Sequence, residues 1–348
     1  CDGLLKRKLP LKPNPNIATR VISEVDEFSK QLSRYSIEEI HKCNAFFQKY
    51  NKKFVHESDK QKATLNFLHN QHENFLHNLE FLEGLQTFIR ASNEHSDLSA
   101  EEFSSLVNKF RRPVEFKSAK SNEVRGKLPK SLNYVAKGFV TPVQKQGLCG
   151  SCWSFSAIGA IEGQIFKETG KLTKFSEQCL IDCNRDDELG NFGCDGGDMT
   201  TAYSFLIDQK GVALAATYPY RSLDINECGY KKSLSGGVVV SFELIEAGDE
   251  KLLQSKLVEH GPIAVAVDAS LSSFQNYKSG IYLEHKCSKN VNHAVLLVGY
   301  GTDKATKRDY WLVKNSYGVE WGEKGYIKMA RKADNHCGIA EYPVVPRQ

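Results

Sequence analysis

The chain has 348 residues, 41% hydrophobic and 25% charged, which is the composition of an ordinary globular protein long enough for two domains with sizeable cores. Basic residues number 46 and acidic residues 42, split 21 against 17 up to Lys127 and 25 against 25 after it, so the later part is neutral overall. That balance argues against a general attraction to nucleic acid or a membrane surface. No apolar run approaches the roughly 20 residues of a membrane helix.

The chain opens on Cys1 rather than Met and has no signal-peptide pattern, as a fragment or processed form would. Residues 1–35, with Pro10, Pro13 and Pro15, mixed charges and no sustained period, read as a loosely ordered leader. From Ile37 to Phe54 the spacing of Ile37, Ile40, Phe46, Phe47, Tyr50 and Phe54 predicts a helix, and Ser36 with Glu39 supplies a capping box. A second helix follows. Leu65, Leu68, His72, Phe75, Leu79 and Leu82 form one apolar stripe, interrupted by a histidine, until Gly84 stops it. Residues 111–128 have no apolar period and carry Arg111, Arg112, Lys117, Lys120, Arg125 and Lys127, the composition of an exposed, cleavable linker.

Residues 146–156, Gln-Gly-Leu-Cys-Gly-Ser-Cys-Trp-Ser-Phe-Ser, are the stretch around which the rest is organised. Ala157, Ile158, Ile161 and Ile165 fall at helical spacing, so Cys152 would stand at a helix start, where unpaired N–H groups point outward. A thiolate gains there from the aligned peptide dipoles, and a nearby imidazolium lowers a cysteine pKa from about 8.5 into the range of roughly 3.5–7.5. Cys149 and Cys152 also form a Cys-x-x-Cys pattern, open to reading as a redox centre, half a metal site, or an inert helix cysteine beside a disulfide. Against the redox and metal readings, no second such pair follows and Trp153 stands after the pair. Gly193–Met199 is a glycine-rich turn. The apolar runs within residues 291–301 and 309–318 read as strands, one with His293 at its start and the other ending at Asn315. Of the four later histidines, His260, His285, His293 and His336, only His293 opens a long apolar strand. A cysteine, then a distant histidine and asparagine, is how a Cys-His-Asn site is distributed along a chain.

With Gln146, Cys152, His293 and Asn315 in these settings, residues 36–348 resemble the papain-like cysteine proteases, and the cathepsin L-like proenzymes in particular. The resemblance implies an α+β fold of two domains, a helical left domain over about 128–244 and a β-barrel-like right domain over about 245–348. A helical inhibitory propeptide over 36–127 would precede them, with the mature peptidase, 128–348, opening at Leu128-Pro129. Positions of the family's interspersed propeptide motif fall on Asp59, Ala63, Phe67, Asn70, Asn74 and Asn78. A second propeptide motif falls on Ala91, Asn93, His95 and Asp97, with His95 where the family has Phe. In the family this region lays an extended segment backwards through the substrate cleft.

The resemblance further implies disulfides Cys149–Cys194, Cys183–Cys228 and Cys287–Cys337, leaving Cys152 free and Cys179 a spare thiol, with Cys1 and Cys43 free or paired together. Three bridges suit the secretory pathway, ending in a lysosome, a vacuole or the outside. Cys152 would be the nucleophile, His293 its base and acid, Asn315 the ring's orienting partner, and Gln146 a donor to the oxyanion. Gly196 and Gly197 would pair with substrate backbone. Met199, Ala266, Val291 and Ala294 would line an apolar pocket for the residue two before the scissile bond, with Asn292 beside it, Trp321 on the leaving-group side, and Glu341 or Tyr342 at the floor. The family's Trp after the asparagine is Tyr317 here, and its Asp before the histidine is Asn292. The expected activity is that of a cysteine endopeptidase made as an inactive precursor, a monomer acting on protein and peptide substrates, with its own propeptide as inhibitor, no nucleic acid, no metal and no cofactor. The alternative is a catalytically weak or inactive protease-like binding or inhibitory protein. Six histidines, at 41, 56, 69, 72, 77 and 95, precede the maturation site and could make release acid-dependent, His72 on the stripe among them.

Overall fold

The computed structural model describes residues 27–112, 127–185, 191–224 and 227–348. Most of the leader, most of the basic linker, and Cys1 therefore lie outside the described residues. The chain divides into two compact units, Cys1–His69 and Asn70–Gln348.

In the first unit, helix α1 (Ile37–Lys49) starts at Ser36 with both arms of the capping box made. It ends at Lys49, short of the expected Phe54. Asn51 turns left-handed, with φ of 49°, and Phe54 packs back from outside the helix with its ring 5.0 Å from that of Phe47. Helix α2 (Glu57–Leu82) begins a full two turns ahead of its apolar stripe. Cys43, Phe46, Phe47, Ala63, Phe67 and Leu68 form the core of this unit.

The second unit corrects the reading of α2. Asn70, Asn74 and His77 are buried and His72 is exposed, while Phe75, Leu79 and Leu82 are 59%, 42% and 80% exposed. The reason is what lies alongside. Asn70 donates to the carbonyls of Ser96 and Leu98 at 2.9 and 3.0 Å, Asn78 both donates to and accepts from the Arg90 backbone, and the His77 ring meets the Phe88 carbonyl at 2.9 Å. Exposed main-chain groups of residues 88–98 need polar partners, and apolar side chains could not supply them.

Strand β1 (Phe88–Arg90) then pairs antiparallel with residues 277–280, and helix α3 (Ala100–Val107) starts from a second complete capping box, Ser99 with Glu102. The remaining strands are β2 (Leu132–Asn133), β3 (Val212–Ala213), β4 (Ser235–Gly237), β5 (Ser241–Leu244), β6 (Ile263–Val267), β7 (Tyr277–Tyr282), β8 (His293–Thr302), β9 (Asp309–Lys314), β10 (Tyr326–Ala330) and β11 (Val344–Arg347). Nine of the strands form one sheet, in the order β1-β7-β10-β9-β8-β6-β11-β5 with β2 beside β8. The path is open. Its ends, β1 and β5, are short strands that do not pair, so the barrel-like half is an unclosed sheet.

Helices α4 (Cys152–Thr169) and α6 (Met199–Gln209) pack on one face of it, and α5 (Glu177–Cys183) packs against α4. Strand β8 explains why a continuous apolar run forms a strand. Ala294, Leu296 and Val298 point into the core shared with α4, and Val295, Leu297 and Tyr300 into the core on the other face, so both sides are dry. Helix α4 comes so close to β8 that a Cβ at Gly159 would stand 2.8 Å from the Leu296 side chain. Disulfides join Cys149–Cys194, Cys183–Cys228 and Cys287–Cys337, and Cys152 and Cys179 are unbridged and buried. Cys43 is buried in the first unit. No described helix is long and apolar enough to cross a membrane.

Candidate active site

Cys152 is the first residue of α4, and the backbone N–H groups of Ala294, Lys109, Trp153 and Cys152 itself favour its thiolate. The register of β8 is what brings Ala294 there, with His293 one residue earlier at the strand's start. The His293 ring lies 2.8 Å from Asn315 Oδ1 through Nε2. That same oxygen accepts from the Ser316 N–H, so it acts as an acceptor and His293 must donate from Nε2. Nδ1 is thereby left as the acceptor nitrogen, and it has no partner among the described residues. Tyr317 stacks on the imidazole with ring centroids 4.8 Å apart and 27° between planes.

Gln146 is oriented by two contacts with the segment after β9. Its Oε1 accepts from Ser316 Oγ at 2.6 Å and its backbone N–H donates to the Ser316 carbonyl at 2.8 Å. The side-chain amide nitrogen therefore faces the cleft, where it donates to the carbonyls of Cys149 and Val107. Val107 belongs to a strap, residues 107–112, that continues from α3 across the thiol. The strap is laced by main-chain bonds: Phe110 N–H to the Asn292 carbonyl at 2.9 Å, Arg111 N–H to Gly197 at 3.0 Å, and Gly197 N–H to Lys109 at 3.2 Å. Gly196 must be glycine here, because its φ is +115° and a Cβ would stand 2.4 Å from the Lys109 carbonyl oxygen.

Phe110 is buried in the hydrophobic cluster that also holds Met199, Ala266 and Ala294, with Val291 packed against that cluster, and its ring stands 5.2 Å from that of Tyr342. Tyr342 is held by Thr200 Oγ1 at 3.0 Å and Asp198 at 3.2 Å. Glu341 turns away to accept from Asn335 at 2.7 Å, with Arg112 at 3.9 Å. The side chain of Asn292 accepts from the Ala269 N–H at 2.9 Å, so only its carbonyl meets the strap. Trp321 stands edge-on to Tyr317 at 5.5 Å and donates to the carbonyls of Phe274 and Gln275.

The strap changes the electrostatics. Burial pushes the Cys152 thiol up to about 11 despite the four backbone N–H groups, and burial pulls His293 down to about 4 despite its bond to Asn315. Both shifts favour the uncharged forms, against the thiolate–imidazolium pair expected from the sequence.

Residues 128–347 match the family model described as papain family cysteine protease. The chain belongs to the papain family. Cathepsin L2 of Homo sapiens is 46% identical over 278 residues, 78% of this chain and 82% of that protein, and a cathepsin L-like peptidase of Aedes aegypti is 41% identical over 316 residues, 87% of this chain and 92% of that protein. Among solved structures, the digestive procathepsin L 3 of Tenebrio molitor larval midgut superposes with a TM-score of 0.82 at 35% identity, covering 90% of this chain and 100% of that one. This papain-family chain is a cathepsin L-like cysteine endopeptidase precursor.

Sequence reasoning did not single out Asn108, Phe110 or Ser316. A lone aromatic just past a helix and just before a basic run was the available sign for Phe110. Nothing local marked Ser316, whose importance comes from a partner 170 residues away. His95, replacing the family's phenylalanine, is buried between the rings of Phe103 and Tyr317 with Nε2 3.3 Å from Glu94.

Proposed function

We propose that the open form hydrolyses peptide bonds with Cys152 as nucleophile, His293 as the proton carrier and Asn315 as the residue that orients the ring. The observation carrying this reading is the strap itself, which lies on the thiol as an extended peptide held by Gly197 and Asn292, with a carbonyl on the Gln146 amide. When it leaves, water returns and the proton moves from Sγ to Nδ1, giving the reactive ion pair. Sulfur attacks the substrate carbonyl. The oxygen that gains charge takes hydrogen bonds from Gln146 Nε2 and the Cys152 N–H, His293 gives its proton to the departing amine, and water then cleaves the thioester.

The Phe110 pocket supports a preference for an apolar residue two positions before the scissile bond, with Tyr342 limiting its depth. Residues 36–127 act as the inhibitor and 128–348 as the mature enzyme. The stacked Tyr317 supports activity over the inactive alternative, since it shields the His293–Asn315 bond as a larger aromatic would. Three disulfides support passage through the secretory pathway, with a lysosome, vacuole or the outside as destination. We place the active form as a monomer.

Mild acid with a thiol reductant is expected to yield a product beginning near Leu128 that cleaves apolar-containing peptides and is stopped by a thiol-directed epoxide. N-terminal sequencing and active-site titration read this out. A processed product with no titratable thiol overturns the reading.

A further inference from the structure

The cleft holds a polar grip beyond the thiol that none of the roles above uses. Strap residue Asn108, only 6% exposed, is held by its side-chain amide at both ends. Its Nδ2 donates to the Ala269 carbonyl at 2.8 Å, and its Oδ1 accepts from the Tyr317 hydroxyl in a short hydrogen bond. Both gripping groups are fixed. Residue Ala269 is held one peptide unit before the gripping carbonyl, by Asn292 Oδ1 accepting its N–H at 2.9 Å, and the Tyr317 ring is wedged between His293, Phe274 and Trp321. A donor and an acceptor set at the two ends of one planar group match a carboxamide. A carboxylate could take the Tyr317 proton but would face the Ala269 carbonyl with a second acceptor, and an aliphatic group would leave both partners unpaired.

We propose that this is a carboxamide subsite, and that the enzyme favours asparagine in the residue immediately after the scissile bond. The placement rests on the proposed roles of Cys152 and His293. Phe110 occupies the apolar pocket, Lys109 lies at the thiol, and Asn108 lies on the far side, where Tyr317 covers His293. The departing amine has to be next to His293 to receive its proton, so the residue carrying that amine presents its side chain to Tyr317 and Ala269. The Asn292 side chain is committed to the Ala269 N–H.

The test uses the full chain, self-processed in mild acid with reductant and normalised by titration with a thiol-directed epoxide. Four peptides identical but for Asn, Asp, Leu or Ala after the cleaved bond are compared by kcat/KM. The expected result is a preference for Asn over Asp, Leu and Ala of about tenfold or more, from two directed hydrogen bonds. In Tyr317→Phe, which keeps the ring and removes the hydroxyl, the Asn-to-Leu ratio is expected to fall to within about threefold of unity, because one lost hydroxyl bond accounts for most of the discrimination. Equal rates on Asn and Leu in the unaltered enzyme overturn the subsite while leaving the protease reading intact, as does a ratio unchanged in Tyr317→Phe. Absence of cleavage of all four peptides by titratable enzyme overturns the protease reading instead. Should Tyr317→Phe fail to fold, the Asn-against-Asp comparison in the unaltered enzyme decides alone.

Discussion

On one side of Cys152 the strap is held by main-chain bonds to Gly197 and Asn292 and by a phenyl ring in an apolar pocket; on the other it is held by side-chain amides, a phenol and the Gln146 donor. The first side holds the strap by its backbone and by apolar bulk, whereas the second holds it by particular donors and acceptors. The difference matches the proposed chemistry. Residues upstream of the scissile carbonyl need only be held, while charge on that carbonyl oxygen and a proton for the departing amine must be managed where the bond breaks.

Breaking the centre should have the largest effect. Cys152→Ala is expected to lower kcat by roughly 10⁴–10⁶, as loss of a covalent nucleophile does elsewhere, measured on epoxide-titratable controls; retained activity would remove Cys152 from its role. On the polar side, Gln146→Ala should cost about 10²–10³ in kcat with little change in KM. If KM rises while kcat holds, Gln146 is a binding group and the asymmetry between the two sides disappears. On the apolar side, Phe110→Ala forfeits about 2–3 kcal/mol of buried ring, which corresponds to roughly 30–150-fold weaker strap binding at 1.4 kcal/mol per tenfold. Faster activation at fixed pH, followed by peptide cleavage, would register it.

The smallest effect concerns acid. Opening the cleft moves a proton between Cys152 and His293 without taking one from solvent, so this pair gives release no pH dependence across the neutral range. The buried His77, packed against β1, is different. Burial lowers the pKa of His77 in the closed form, offset in part by its bond to the Phe88 carbonyl; Arg90 pushes it further down, and Glu80 and Glu284 push it up. The freed histidine therefore binds more protons than the buried one once pH falls below about 6.5. Closed-state stability from neutral His77 is present above that pH and is lost on acidification, by at most about tenfold per pH unit. His77→Gln should flatten the pH profile of maturation, while the exposed His72→Gln should leave it unchanged. A profile moved by His72 and not His77 would place the acid response elsewhere.

How much was legible in the chain differs by region. The capping box at Ser36 was a local signal of three-residue span, and Ser36 caps as such a span requires. The start of α4 at Cys152 and of β8 at His293 were also readable, because each sits where an apolar period begins. The buried face of α2 was not readable. Periodicity finds the apolar side of a helix, but residues 88–98 present bare main-chain groups, so the asparagine side turned inward.

The sequence by itself determined the family, the identity of the thiol, imidazole and amide groups, and the helices and strands that carry them, since each depends on residue type and near-neighbour spacing. The tertiary structure alone decided that Tyr342 and not Glu341 meets the Phe110 ring, that Ser316 orients Gln146, that Asn108 is gripped at both ends, and that burial pushes the Cys152 thiol up. Desolvation and hydrogen-bond pairing are set by whichever atoms come near in space, and those atoms come from segments tens to hundreds of residues apart.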